Sequence, residues 1–180
     1  KFASGYWNVF DPTNGYTAIH AEALRRLDPS RVAEDYLFEI SLLLELRRHA
    51  AVVLDVAIPA RYGDEESALS LTRSLLSFPP RLARGACRRF ARQYLLYDFS
   101  AASLLGLLGV GLTLGGTAWG GAQWYLHASA GRFASSGTVL LSVLPIILGV
   151  YLLVQALVLD IASVPSRPLA SAGPLAAPPP

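Results

Sequence analysis

Two long runs without a formal charge, at residues 100–124 and 137–159, dominate the hydrophobic pattern of the chain. At about 1.5 Å of rise per residue, each run is long enough as a helix to cross the roughly 30 Å apolar core of a bilayer. A short connection of residues 125–136 joins them, so the pattern predicts a transmembrane hairpin. The alternative is a pair of buried core helices, which is disfavoured because two such segments seldom occur in so small a domain.

Residues 1–70 carry shorter and more mixed patterns. Helices are predicted at residues 17–27 and 34–49, where apolar positions recur with a helical period. Residues 51–58 form a β-branched run typical of a buried strand, and Pro59 closes it. This order predicts an α/β fold, and about seventy residues with one strand are too few for a complete α/β domain.

Composition agrees with a chain that lies partly in lipid. Of its 180 residues 53% are hydrophobic and 16% charged, which is too apolar for a soluble domain of this size. The single cysteine, Cys87, excludes an intrachain disulfide and a cysteine-based zinc site. The chain has no methionine and begins with Lys1, so we expect a processed product or a fragment. Residues 161–180, rich in proline and alanine, are expected to be a disordered tail.

Charge is concentrated just before the first uncharged run. Residues 1–66 carry a net charge of −4, whereas residues 67–99 hold six arginines and one aspartate. We expect residues 71–98 to form a basic amphipathic helix in the lipid headgroup layer, interrupted at Pro79 and Pro80. The alternative is a solvated charged face. The candidate membrane-surface residues are Arg81, Arg84, Arg88, Arg89 and Arg92.

The uncharged runs also indicate which partner the basic segment binds and on which side of the membrane the chain ends lie. A basic segment alone could bind nucleic acid, but the adjacent span favours anionic lipids instead. Because most arginines precede the first span, the positive-inside bias places both chain ends in the cytoplasm.

Glycine pairs at positions 111 and 115, and at 116 and 120, have the small-xxx-small spacing that predicts helix association, including a homo-oligomer. The alternative is that glycine is simply common in membrane helices.

Two polar clusters interrupt the N-terminal part. Residues 11–16 combine a carboxylate and an amide with strong turn residues; as a simple turn, Asp11 would cap its own backbone and Gly15 would supply a positive φ. In residues 61–67, Arg61 directly follows the predicted strand. Arginine at the carboxyl end of a strand suits a bidentate phosphate contact. The alternative is a solvated loop with an internal ion pair.

Four stretches carry a resemblance to a known family. Together they resemble the C-terminal half of bacterial family-2 glycosyltransferases, enzymes similar to dolichyl-phosphate mannose synthase and the undecaprenyl-phosphate sugar transferases. The resemblance extends to about residue 169 and is specific in the two polar clusters. The stretches are FDPTNGYTAIH (residues 10–20), DYLFEISLL (35–43), VLDVAIPARYGDEESAL (53–69) and DIASVPSRPL (160–169).

The resemblance implies a GT-A α/β domain that binds a nucleotide-sugar and a divalent metal, Mg²⁺ or Mn²⁺. The enzyme would pass the sugar to a polyprenyl phosphate at the bacterial inner membrane. The family motifs place catalytic residues at Asp11 and Glu39. They place substrate-binding residues at Asn14, Gly15, Arg61, Gly63 and Ser67.

Two departures from the family pattern stand out. Glu66 occupies a position where lysine is often found. The aspartate-any-aspartate metal motif is absent, so no metal ligand is expected in this chain and the ligands are expected upstream. The alternative from a different class is a non-catalytic two-span membrane scaffold or assembly subunit with a cytoplasmic cap.

The chemistry of a polyprenyl-phosphate acceptor fits the glycosyltransferase interpretation. A phosphate monoester is already ionised at neutral pH, since its second pKa is about 6. Positioning then matters more than a strong base. We therefore expect Asp11 to orient groups or to support a metal rather than to accept a proton.

Overall fold

A computed structural model of the protein describes residues 1–59, 71–97 and 99–167. The described part is helical, and it divides into two compact units. The first unit contains residues 1–92 with the described residues from Ser163 onward, and the second is Gln93–Ala162. The helices are α1 (Ala21–Arg26), α2 (Phe38–Arg48), α3 (Leu71–Phe90), α4 (Ala101–Ser129) and α5 (Ser136–Ala162), with a 3₁₀ turn at Pro29–Arg31 and a π-helical segment at Ala91–Tyr97.

The predicted α/β fold is wrong, because the described residues contain helices and no β-strand. The β-branched run at 51–58 has no strand pairing, and side chains bind its carbonyl groups instead. The Tyr6 hydroxyl donates to the Ala51 carbonyl at 2.5 Å, and Asn8 Nδ2 donates to the Val53 carbonyl at 2.7 Å. The Phe10 backbone N–H then donates to Asp55 Oδ2 at 2.6 Å. These alternating contacts tie the run to the N-terminal segment.

The core of the first unit forms where α2 meets this N-terminal segment. Its fully or nearly buried members include Tyr6, and burial raises the pKa of that hydroxyl, which therefore stays a donor. Gly5 precedes it with a φ of +76°, a conformation that glycine adopts without steric cost. The core residues are Tyr6, Val9, Leu42, Leu43, Leu46 and Ala51.

Helix α2 ends in a Schellman motif, with Ala50 at a φ of +50°. The Ala51 N–H donates to the Leu46 carbonyl, and the Ala50 N–H donates to the Arg47 carbonyl. This cap stops the helix and turns the chain into the extended run.

The residues after α5 return to the first unit. Arg47 Nη2 donates to the Ser163 carbonyl at 2.9 Å and to its hydroxyl at 2.7 Å. Val164 packs against the core of the first unit. The expected disordered tail therefore does not include Ser163 and Val164, and residues 168–180 of that tail lie outside the described residues.

Helix α3 runs without a break through Pro79 and Pro80, which differs from the interruption expected there. A proline removes a hydrogen bond from a helix but does not always end it, particularly where water can reach the freed carbonyl groups. Towards α2, Ala86 is buried and Gly85 lies so close that an added Cβ would be 2.9 Å from Leu44 Cδ1. The apolar side of α3 therefore packs on protein.

The second unit is a hairpin of α4 and α5, which confirms the two predicted helices of membrane length. Their backbones touch where glycines face each other. A Cβ on Gly149 would lie 2.4 Å from Thr113 Oγ1, and one on Gly109 would lie 2.9 Å from the Gly149 carbonyl oxygen. Both helices extend further than the charge-free runs, because helix continues through the polar residues that flank them.

Candidate functional site

The Asp11 turn is exposed and internally hydrogen-bonded. Asp11 Oδ1 accepts from the Thr13 hydroxyl at 2.7 Å and from the Thr13 N–H at 3.0 Å. These two hydrogen bonds hold the pKa of Asp11 below its ordinary value, so the carboxylate is ionised at neutral pH. Asp11 thus caps its own backbone, and its charge faces solvent.

The structure brings the second predicted catalytic residue to this turn. A Cβ on Gly15 would lie 3.8 Å from Glu39 Oε1, which places the α2 carboxylate beside the turn. Asn14 Oδ1 accepts from the Tyr16 N–H at 3.0 Å and so helps to shape it. Gly15 itself does not have the positive φ expected of it, because the Asx-type hydrogen bonds close the turn without one.

The second predicted cluster falls at residues 61–67. Arg61, Gly63 and Ser67 lie outside the described residues. Their phosphate-binding role remains a prediction.

The described residues do not fit a divalent metal. Within 1–59, 71–97 and 99–167, no three histidine, cysteine, aspartate or glutamate side chains gather in a group that could hold one. Asp11 is bound within its own turn, and only Glu39 is brought beside it. No step of a reaction is therefore assigned to a metal held by these residues.

The arginines of α3 and of the π-helical segment after it differ in their exposure. Arg81, Arg84 and Arg88 recur at intervals of three and four residues and are exposed, so they share one face of the helix. Arg92 is half-buried. Arg89 is only 7% exposed and donates from Nη2 to the Phe2 carbonyl at 3.0 Å, so it packs within the first unit.

One exposed arginine has an acidic partner on the protein. Arg81 forms an ion pair with Asp35 and holds the pKa of that carboxyl below its ordinary value. A groove of about 430 Å³ adjoins this pair. It is lined mainly by apolar side chains, among them Leu37, Ile40 and Leu82. Arg84 and Arg88 have no ion-pair partner among the described residues and keep their charge available to a ligand.

The second unit contains a buried polar contact that the sequence did not predict. The Tyr94 hydroxyl donates to Asp160 Oδ1 at 2.6 Å, and Asp160 is fully buried. The only signal was that Asp160 ends the second uncharged run, which marks a boundary but gives no partner. A buried carboxylate needs such hydrogen bonds to offset its loss of water.

Both helices of the second unit are long and apolar enough to cross a membrane. Most of their apolar side chains are exposed, as with Leu114 and Leu141, whereas core helices of a soluble protein bury such side chains. Comparisons with protein-family models, curated proteins and solved structures found no match to the chain.

Proposed function

We propose that this chain is the membrane-anchoring, acceptor-side part of a glycosyltransferase. The enzyme would move a sugar from a nucleotide-sugar to a polyprenyl phosphate at the cytoplasmic face of the bacterial inner membrane. The observation that carries the proposal is the exposed arginine face of α3, formed by Arg81, Arg84 and Arg88 just before the hairpin in the chain. The sugar-transfer part rests on the motif resemblance.

The exposed face has the chemistry that an anionic lipid requires. Guanidinium groups form paired hydrogen bonds with phosphate oxygens, and each basic residue near an anionic membrane surface contributes roughly 1 kcal/mol. Because Ala86 and Arg89 are buried on the protein, α3 can keep its orientation while Arg84 and Arg88 remain exposed. This division of the helix supports a role at the lipid surface.

The proposed orientation in the membrane has separate support. The chain up to Arg92, before the hairpin, and the described residues from Ser163 onward, after it, belong to the same unit. An even number of spans returns the chain to the side where it started, and the arginines before α4 favour the cytoplasmic side.

The carboxylates beside the turn suit a positioning role. A polyprenyl phosphate arrives ionised, so the reaction needs the acceptor and the sugar held in line rather than a strong base. The ionised, exposed Asp11 and the neighbouring Glu39 can accept hydrogen bonds from sugar hydroxyl groups. Neutralisation of the leaving diphosphate is not assigned to any described residue.

A second candidate is a non-catalytic membrane scaffold with a cytoplasmic cap. It is favoured by the hydrogen bonds of Asp11 Oδ1, both of which stay within its own turn. In that case the chain would transfer no sugar, and Asp11→Asn would only weaken the turn.

The proposal is tested with the complete gene product, reconstituted in vesicles with a nucleotide-sugar and a polyprenyl phosphate. Arg61→Ala should slow transfer about tenfold or more at low acceptor concentration, since a hydrogen bond to a charged group contributes roughly 1.5–3 kcal/mol. Binding of the nucleotide-sugar should change little. Arg25→Ala on α1, an exposed arginine paired with Glu22, is the matched control and should leave transfer intact. Equal loss of transfer and of nucleotide-sugar binding would refute the acceptor-phosphate role.

A further inference from the structure

The closed end of the hairpin extends beyond the length that a bilayer core requires. Helix α4 has 29 residues and is therefore about 43 Å long, against roughly 30 Å for the apolar core. Its N-terminus carries a polar capping box of Ser100 and Ser103, directly after the arginine-rich segment. If the apolar core begins there, about twenty residues cross it and the last turns of α4 emerge on the other side.

Aromatic side chains are exposed where the helix emerges. Trp124 is 74% exposed and Tyr125 68%, and Phe133, in the connection to α5, is completely exposed. An apolar ring in full contact with water is unfavourable, and these three rings fall within ten residues of the chain, so they indicate a surface that something covers. Arg132 stands next to Phe133 and is also exposed.

We propose that this aromatic tip, formed by Trp124, Tyr125, Arg132 and Phe133, is a second lipid-binding surface, in the leaflet opposite the one that contains the N-terminus of α4. The rings would lie at the boundary between headgroups and acyl chains, where amphipathic aromatic side chains are stable. The Arg132 guanidinium would bind headgroup phosphate. The proposal rests on membrane insertion of the hairpin, which is part of the proposed function, and not on sugar transfer.

Two observations favour lipid over a protein partner at the tip. The exposed rings continue the exposed apolar surface of α4, represented by Leu114 and Trp119, without an intervening charged residue. The only charged residue of the connection is basic, and no acidic residue occurs between positions 99 and 159, which matches an anionic headgroup layer. The tip is thus continuous with the lipid-facing surface in both polarity and charge.

The three tryptophans of the chain allow a direct test of depth. Variants of the whole chain that keep only Trp119 (W7F/W124F) or only Trp124 (W7F/W119F) are reconstituted in vesicles of phosphatidylcholine and phosphatidylglycerol. The lipids carry bromine either near the headgroup or near the end of the acyl chain, and bromine quenches tryptophan fluorescence on contact. Trp119 and Trp124 differ by five positions, or about 7.5 Å along the helix. We expect the shallow bromine to quench Trp124 more strongly than Trp119. We expect the deep bromine to quench Trp119 more strongly than Trp124.

Phe133→Trp, placed in a chain whose other tryptophans are phenylalanine, is a third probe and should also be quenched from the shallow position. If Trp119 is quenched while Trp124 and the probe at 133 are not, the tip projects into water and the anchor is refuted. If Trp124 is quenched mainly by the deep bromine, the tip is buried in the core and the interfacial position is refuted. If neither native tryptophan is quenched, the hairpin is not inserted, and the membrane part of the proposed function fails with it.

Discussion

At the scale of single residues, Asp11 shows how one side chain can serve a local structure and still carry an available charge. Its Oδ1 closes the turn with Thr13, whereas its exposed position leaves the negative charge facing solvent. The turn could be predicted from the residue types, because aspartate and asparagine side chains accept from the backbone two residues on, and proline and glycine favour turns. The proximity of Glu39 could not, since it depends on how α2 packs against the N-terminal segment.

Removing the hydroxyl partner should raise the pKa of Asp11. In Thr13→Val the side-chain hydrogen bond is lost, so the carboxyl should titrate closer to its ordinary value. The pKa of Asp11 is lowered in the folded protein, so the hydrogen bond stabilises the turn fully at pH values above the ordinary carboxyl pKa. This stabilisation disappears as the pH falls through the lowered pKa. Carboxyl-carbon NMR titration measures both midpoints. Thr17→Val, outside the turn, is the control, and an unchanged midpoint in Thr13→Val would contradict this cause of the shift.

At the scale of elements, local patterns predicted helices well and the extended run poorly. Residues 51–58 have the composition of a strand, but pairing is a long-range property, and in the structure Tyr6 and Asn8 side chains take the carbonyl groups that a strand would bind. Helical periodicity and the length of a charge-free run are local properties, so α2 follows from the first and α4 and α5 follow from the second. The burial of Arg89 did not, because charge alone gives no indication of a hydrogen bond to the Phe2 carbonyl.

Glycines of the hairpin that look alike in the sequence have different surroundings in the structure. Gly149→Ala should destabilise the hairpin by about 1–3 kcal/mol, because the new Cβ would overlap Thr113 and force the helices apart. Gly106→Ala is the matched control: nothing lies within 4 Å of its Cβ position, and alanine is the better helix former. Denaturant unfolding in mixed micelles gives both values. Equal stability of the two variants would rule out the close contact of α4 and α5 at Gly149.

At the scale of the whole molecule, the proposed function requires the arginine face of α3 to lie on anionic lipid. The only cysteine, Cys87, is exposed on α3 between Arg84 and Arg88 and serves as a probe there. In vesicles that contain phosphatidylglycerol, a water-soluble maleimide should label Cys87 more slowly than in neutral vesicles. The face would then be covered by headgroups.

The double variant Arg84→Gln/Arg88→Gln should remove that difference, since roughly 1 kcal/mol of attraction is lost with each arginine. Arg25→Gln/Arg26→Gln, which removes two arginines from the exposed α1, is the control and should label like the parent chain. Equal labelling of the parent in both kinds of vesicle would show that α3 does not lie on the membrane.

Analysis of the lipid product shows whether a sugar has been transferred to a lipid phosphate. The complete gene product, reconstituted in vesicles, is incubated with a set of nucleotide-sugars and either a polyprenyl phosphate or the same polyprenol without phosphate. Mass spectrometry should find one added sugar on the polyprenyl phosphate and none on the free polyprenol. A protein that is inserted in the membrane, as its Trp119 quenching reports, yet adds no sugar to polyprenyl phosphate from any donor would contradict the proposed sugar transfer.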